Sequence, residues 1–311
     1  MREVNPNIDH RLIWLNGKIV PLQDAKINVL SPTSQFGANV FEGIRCYWNE
    51  DHQQLYAFRL PDHYRRLKNS MKLFRMEDRY SIEKLQEGLV DVVRANGYRE
   101  DIAVRQTVFI EGFGSWMSQG PIGMFIAPIP RGRTLERSKL GFRCCVSSWE
   151  RISDRNLSPR AKVGANYINS RMAEMEALAN GYDSSILMND QGKIAEGPGS
   201  CIFIVRDGVL ITPPITASIL ESITRDTIIK LAKGLLDTQV IERDVDRTEL
   251  YVCDEVFLCG SAMEVVPVLS VDGIPVGTGL PGELTQSIQR SYLSVTSARV
   301  AGFSEWLTSI Y

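Results

Sequence analysis

The chain has 311 residues, 44% hydrophobic and 23% charged, the make-up of an ordinary globular protein with room for a large core and for two domains. Its 35 basic and 37 acidic residues leave a net charge of -2, which favours neither a nucleic acid nor an anionic membrane surface as partner. No apolar run approaches the ~18 residues that span a bilayer, and six scattered cysteines and three histidines form neither a disulfide framework nor a metal-ligand spacing, so no metal site is expected.

The opening stretch, MREVNPNIDHRLIWLNG, has no apolar signal core and is not an Arg/Ser-rich transit segment, so a cytoplasmic location is expected. LIWLNGKIVPL sets Asn16-Gly17 between two apolar strands, a hairpin signal. In PDHYRRLKNSMKLF, Tyr64, Leu67, Met71 and Phe74 recur at helical spacing, with Pro61 tolerated in the first turn. A second helix is predicted through SIEKLQEGLVDVVRANG, with Ser81 as N-cap, Leu85, Leu89 and Val92 as buried stripe and Gly97 as stop. IAVRQTVFI and GMFIAPI read as strands. The polar, basic stretch 128–141, broken by Pro and Gly, is the candidate interdomain connection.

Beyond it, FRCCVSSW is strand-like. Asn166 can cap a helix ending near Gly181, whose spacing suggests Ile168, Met172, Met175 and Leu178 as inner face. Short strands then alternate with turn chemistry at 189–192, 206–208 and 271–273, interrupted by the helix TRDTIIKLAKGLL. Many hairpins with a few helices indicate an α+β fold rather than a parallel βαβ sheet.

Three stretches can carry chemistry. In RAKVGANY, Lys162 stands among small residues; a loop lysine in water is the commoner reading, but an amine in apolar surroundings loses its charge more readily and can form a Schiff base. In ILESITRDTIIK, a loop opens into an amphipathic helix whose first N–H groups could bind an anion, against the plainer reading of a capped helix start. In KIAEGPGSCIF, Glu196 ends a strand beside a Gly-Pro-Gly turn, where it could meet a protonated ring nitrogen or simply be solvated. GTGLPG at 277–282 matches G-x-G-x-x-G but contains Pro281 and opens no βαβ unit, so it is not read as a nucleotide site.

Taken in order, LNGKIVPLQDAKINVLS, FGANVFEGIRCY, AFRLPDHYRRLKNSMKLFRM, AKVGANY, DQGKIAEGPGS, ILESITRDTIIKLAK and DEVFLCGSAMEVVPV resemble the branched-chain amino-acid aminotransferases, fold-type-IV enzymes that use pyridoxal 5'-phosphate. The resemblance implies an α+β, two-domain enzyme: an N-terminal α/β sandwich over 1–129, a linker at 130–138 and a C-terminal pseudo-barrel with helices over 139–311, the site between them. It implies ping-pong transfer of the amino group of a branched-chain or other hydrophobic L-amino acid to 2-oxoglutarate through Schiff bases. Lys162 would carry the cofactor and shuttle the proton. Glu196 would pair with the pyridine nitrogen, Tyr167 with the ring oxygen, and Leu220 would pack on the ring. Arg59, Ser261 and the amides of Ile223 and Thr224 would hold the phosphate. Phe41 and Gly43 would line the side-chain pocket, with Arg105 and the Ala262 backbone at the substrate carboxylate; Arg105 could instead engage an inter-subunit loop. At least a homodimer is implied, with the Gly-rich stretch 111–120 as either an inter-subunit loop or a structural turn.

The chain departs from the family at four points. Phe36 and Ala103 stand where tyrosines are usual, Cys201 replaces an asparagine and Ser222 a glycine. The loss of a hydroxyl and a ring should enlarge the substrate cavity and suggests a bulkier or unusual donor. Alternatives are a D-amino-acid or amine transaminase, an aminodeoxychorismate lyase, and a non-catalytic protein that binds pyridoxal phosphate.

Overall fold

The computed structural model describes residues 10–133 and 139–311. Residues 134–138 of the predicted connection, and 1–9, lie outside the described residues. No helix among the described residues is long and apolar enough to cross a membrane. The fold class is α+β, as the alternation of hairpins and helices suggests, and the chain divides into two units.

The first unit draws on Met1–Gly132, Ala161–Ala165 and Thr296–Tyr311. Its sheet comprises β1 (Leu12–Leu15), β2 (Lys18–Pro21), β3 (Asn39–Asn49), β4 (Gln54–Phe58), β5 (Ile102–Ile110), β6 (Ile122–Pro130) and, numbered last in chain order, β16 (Leu307–Ser309), arranged β16-β4-β3-β5-β6-β1-β2. Every pairing is antiparallel. Asn16 and Gly17 take φ of 49 and 93, the positive pair that closes a tight hairpin and that Asn-Gly tolerates best.

Besides the short α1 (Pro32–Phe36), two helices, α2 (Leu60–Leu73) and α3 (Ile82–Asn96), cover one face of this sheet. The predicted stripes Tyr64, Leu67, Met71 and Leu85, Leu89, Val92 are buried there with Val40, Ile44, Val104 and Val108 from the strands. Ser81 caps α3 by accepting the Lys84 N–H at 3.2 Å, and Gly97 ends it at φ 65. Because side chains alternate along a strand, Phe41 and Gly43 of β3 and Ala103 and Arg105 of β5 share the opposite face.

The second unit draws on Arg133–Arg160 and Asn166–Val295. Its nine-stranded mixed sheet runs β12-β11-β10-β13-β14-β7-β8-β9, with β15 on the side of β14. The strands are β7 (Phe142–Val146), β8 (Ser184–Met188), β9 (Ile194–Glu196), β10 (Cys201–Arg206), β11 (Val209–Thr212), β12 (Val240–Glu242), β13 (Glu255–Gly260), β14 (Glu264–Val271) and β15 (Ile274–Pro275). Among the described residues this unit includes the helices α4 (Tyr167–Ala179), α5 (Ile223–Leu235) and α6 (Glu283–Thr296). The Gly277–Gly282 stretch leads into α6, whose first amides, Leu284 and Thr285, donate to the Glu255 carboxylate.

Helix α4 corrects two expectations. Its inner face is Ser170, Ala173 and Ala177, all buried, while Ile168 (61%), Met172 (40%), Met175 (49%) and Leu178 (53%) are exposed. Small side chains let the helix lie close on β8, where Glu174 accepts the Ser184 hydroxyl at 2.9 Å, and the large apolar residues are left outside. Asn166 stands at the N-cap position, yet its backbone is already helical and its amide donates to Ser158 O at 3.0 Å instead of capping.

Candidate active site

The residues singled out in the sequence fall into two groups, one in each unit. In the first, Lys162 lies on the short segment Ala161–Ala165, held against β3 and α2. The Phe41 N–H donates to Lys162 O at 2.9 Å, the Gly164 N–H to Asn39 O at 3.0 Å, and Val163 bridges Val40. From the helix side, Ser70 Oγ accepts the Lys162 N–H at 3.0 Å. The lysine backbone is thereby fixed from both sides. Its half-buried side chain places Nζ 4.9 Å from the Phe41 ring centre, and the Arg105 guanidinium lies 4.1 Å from that centre. Such contacts hold the amine and the guanidinium near one aromatic ring.

Glycine at 164 has a steric reason. A Cβ there would fall 2.6 Å from the Asn39 side-chain oxygen. Gly37, the left-handed C-cap of α1 at φ 68, packs against Ala165, which places Phe36, 51% exposed, beside the same segment. Gly43 faces Arg105 across the β3–β5 pairing, and a Cβ on it would meet nothing within 4 Å. Ala103, half-buried, faces Arg45 in that pairing. Arg59 initiates α2 in a left-handed conformation, φ 51; its Nε donates to Asp62 at 2.7 Å and its guanidinium lies 5.0 Å from the Trp306 ring centre.

Sequence reasoning missed the polar layer beneath Lys162. Glu42, fully buried on β3, accepts two hydrogen bonds from Arg66 and one from His63 Nδ1, each 2.7 Å. Burial alone would raise the carboxyl's proton affinity, but Arg66 and then His63 outweigh it and hold the acid below the usual carboxylate range. Burial also lowers the proton affinity of His63, which Glu42 only partly offsets. His63, Arg66 and Ser70 follow at helical spacing on α2, so one helix face neutralises Glu42 and anchors the Lys162 amide.

In the second unit, Glu196 ends β9 and is 4% exposed. Arg151 Nε donates to its Oε1 at 2.7 Å; the Leu220 N–H and the Cys201 thiol approach Oε2 at 3.2 and 3.8 Å. Arg151 was also missed. It sits in an irregular segment 45 residues from its partner, without periodicity to flag it.

From Leu220 the chain runs directly into α5. Ser222 caps that helix, its hydroxyl taking the Arg225 N–H at 3.2 Å and its carbonyl that of Asp226 at 3.0 Å; Ile223 and Thr224 present the other two amides of the first turn. At φ -79, Ser222 needs none of glycine's freedom. Ser261 and Ala262 form the turn between β13 and β14. A Cβ on neighbouring Gly260 would come 3.2 Å from Gly199 O, so this turn packs closely on the one following Glu196. Tyr167 is the half-buried first residue of α4. Glu196, Leu220, the start of α5 and the 261–262 turn therefore gather at the end of the sheet where β10 begins and β13 ends.

The family profile described as "Amino-transferase class IV" matches residues 39–271. A probable branched-chain-amino-acid aminotransferase of Aquifex aeolicus is 40% identical over 302 residues, 96% of each chain. The branched-chain amino acid aminotransferase from Thermobaculum terrenum, solved in its PLP-form, superposes with a TM-score of 0.93 at 42% identity, covering 97% of this chain and 99% of that one. The branched-chain aminotransferase from the archaeon Thermoproteus uzoniensis, solved with norvaline, gives 0.91 at 40% identity, covering 97% and 99%.

Proposed function

The chain belongs to the class IV aminotransferase family, and we propose that it transfers the amino group of a branched-chain or other hydrophobic L-amino acid to 2-oxoglutarate in a ping-pong reaction dependent on pyridoxal 5'-phosphate. The observation that carries this reading is full-length similarity to enzymes of that activity by a chain that keeps a supported lysine, a buried carboxylate and an anion-ready helix start.

The donor set suits a phosphorylated aromatic aldehyde. Lys162 offers an amine, Glu196 a buried acceptor for a protonated ring nitrogen, and Arg59, Ser261 and the amides of Ile223 and Thr224 a set of donors for a phosphate. A Cβ at Gly260 would crowd Gly199 O at 3.2 Å, beside that turn. The bound cofactor supplies an electron-withdrawing ring that lets the amino acid's Cα–H bond break.

The protein's own residues supply the rest. Lys162 Nζ anchors the cofactor and moves the proton at the substrate Cα, its backbone kept in register by Phe41, Gly164 and Ser70. With the cofactor bound, Glu196 would hold the proton at the ring nitrogen, Tyr167 would donate to the ring oxygen and Leu220 would pack on the ring. Arg105 and the Ala262 backbone orient the substrate carboxylate, and Phe41 with Gly43 lines the space for its side chain. A homodimer or larger homo-oligomer, as the resemblance implies, completes the proposal, with the cytoplasm as its expected location.

Turnover of Lys162→Ala tests the central assignment. The variant should lose transamination while keeping weak cofactor uptake; near-normal turnover would overturn the mechanism. A purified protein that takes up no pyridoxal phosphate would end the enzyme reading altogether. A second reading, a bulkier donor, is favoured by the open space at Gly43 and by Ala103 on the same strand face.

A further inference from the structure

We infer that Arg151 is a positioning residue: it holds the Glu196 carboxylate as an oriented anion, and so sets how strongly the protein distinguishes a ring that carries a nitrogen from one that does not. The inference rests on the proposed pyridoxal phosphate reading and assigns a partner to its ring-binding carboxylate.

The arrangement is one-sided. Oε1 receives the charged donor, Arg151 Nε at 2.7 Å, and Oε2 receives two neutral ones, the Leu220 N–H at 3.2 Å and the Cys201 thiol at 3.8 Å. Both side chains are out of water, 9% and 6% exposed, so neither charge is screened and each depends on the other. Arg151 is itself fixed. Its backbone N–H donates to Met188 O at 2.8 Å, and its Nη1 reaches Asn169 Oδ1 at 3.4 Å, while Asn169 is tied back to Glu150 O at 2.8 Å. A guanidinium locked in this way pins the carboxylate plane through Oε1.

A buried anion facing a ring N–H makes a charge-assisted hydrogen bond, whereas facing C–H it loses that bond and keeps its charge. Without Arg151 the carboxylate loses the charged donor that fixes its plane, so its bond to a ring nitrogen weakens while its contact with a ring carbon changes little.

The test measures affinity, by equilibrium titration of the full chain stripped of cofactor, for pyridoxal 5'-phosphate and for its analogue with carbon replacing the ring nitrogen. Wild-type protein should prefer the nitrogen probe by about 10- to 100-fold, the span between a charge-assisted hydrogen bond and none. Arg151→Met should narrow that preference about three- to tenfold, since charged hydrogen bonds are roughly twice as strong as neutral ones and halving the bond's free energy takes the square root of the preference. Arg151→Lys should restore most of it, and Arg151→Gln is read in the same way as Arg151→Met should the latter not fold. An unchanged preference in the neutral variants, or an equal loss for both probes, would reduce Arg151 to a structural residue and overturn the inference. Equal affinities in the wild type would remove Glu196 from the ring nitrogen, which strikes the cofactor assignment itself and is distinguishable because no variant is involved.

Discussion

Arg66→Met should destabilise the first unit heavily, and by an amount that depends on pH. The arginine donates Nε and Nη2 to the two oxygens of Glu42 at 2.7 Å, with side-chain exposures of 9% and 0%. Removing one member of a buried pair strands the other, at a cost of about 3–5 kcal/mol. Against a domain stability of about 5–15 kcal/mol, that is a fifth or more of the whole. His63 keeps its Nδ1 hydrogen bond to Glu42 but, buried and with its proton affinity lowered, does not replace the lost charge.

The sign with pH follows from the direction of the Glu42 shift. In the wild type the folded acid binds its proton less readily than the unfolded one. Its contribution is therefore complete above the unfolded value, about pH 4.3, and is lost as pH falls further towards the depressed folded value. In the variant the burial penalty persists while the main opposing charge is gone. The deficit relative to wild type is then largest at neutral pH and shrinks on acidification. Urea unfolding followed by circular dichroism at pH 7 and pH 5 measures both quantities. Glu42→Gln combined with Arg66→Met removes the stranded charge and should recover part of the loss. A single-variant loss under about 1 kcal/mol at pH 7, or a double variant no better than the single, would refute the argument.

The corrected face of α4 can be checked by a contrasting pair. Ala173→Leu should cost about 1–3 kcal/mol by overpacking, whereas Met175→Gln on the exposed stripe should stay within about 0.5 kcal/mol in thermal unfolding. The substrate space is open to a panel: with 2-oxoglutarate as acceptor, donors larger than valine should be turned over faster than valine, and Ala103→Tyr should reverse the order. Valine equalling every larger donor in the wild type would count against the enlarged cavity. Glu196→Gln should lower kcat and still bind cofactor through its phosphate, which reconstitution followed by single-turnover kinetics would show.

What could be read in the sequence, and what could not, divides along physical lines. Turn and cap chemistry is local, so Asn16-Gly17, Ser81 and Gly97 act as their residue types dictate. Helix α4 was legible as a helix but not in its orientation. Ile168, Met172, Met175 and Leu178 recur at the same spacing as Ser170, Ala173 and Ala177, and periodicity cannot choose between two stripes that both satisfy it. Hydrophobicity alone picks the large residues; close approach to a strand picks the small ones, and here the second effect wins.

The same distinction governs the site. Phe41, Gly43, Ala103 and Arg105 are all odd-numbered residues of two strands, so a shared face within each strand follows from alternation. That Gly43 lies opposite Arg105 depends on register, which only the folded sheet sets. The charged supports are harder still. Arg66 and Arg151 read as ordinary surface arginines, and their meaning comes from carboxylates 24 and 45 residues away. A buried carboxylate must find its counter-charge wherever the tertiary structure brings one, and no local pattern announces it. The residues that hold Glu42 and Glu196 are thus legible only once each acid is seen to be out of water, which makes burial of the acid, and not the basic residue itself, the signal to look for.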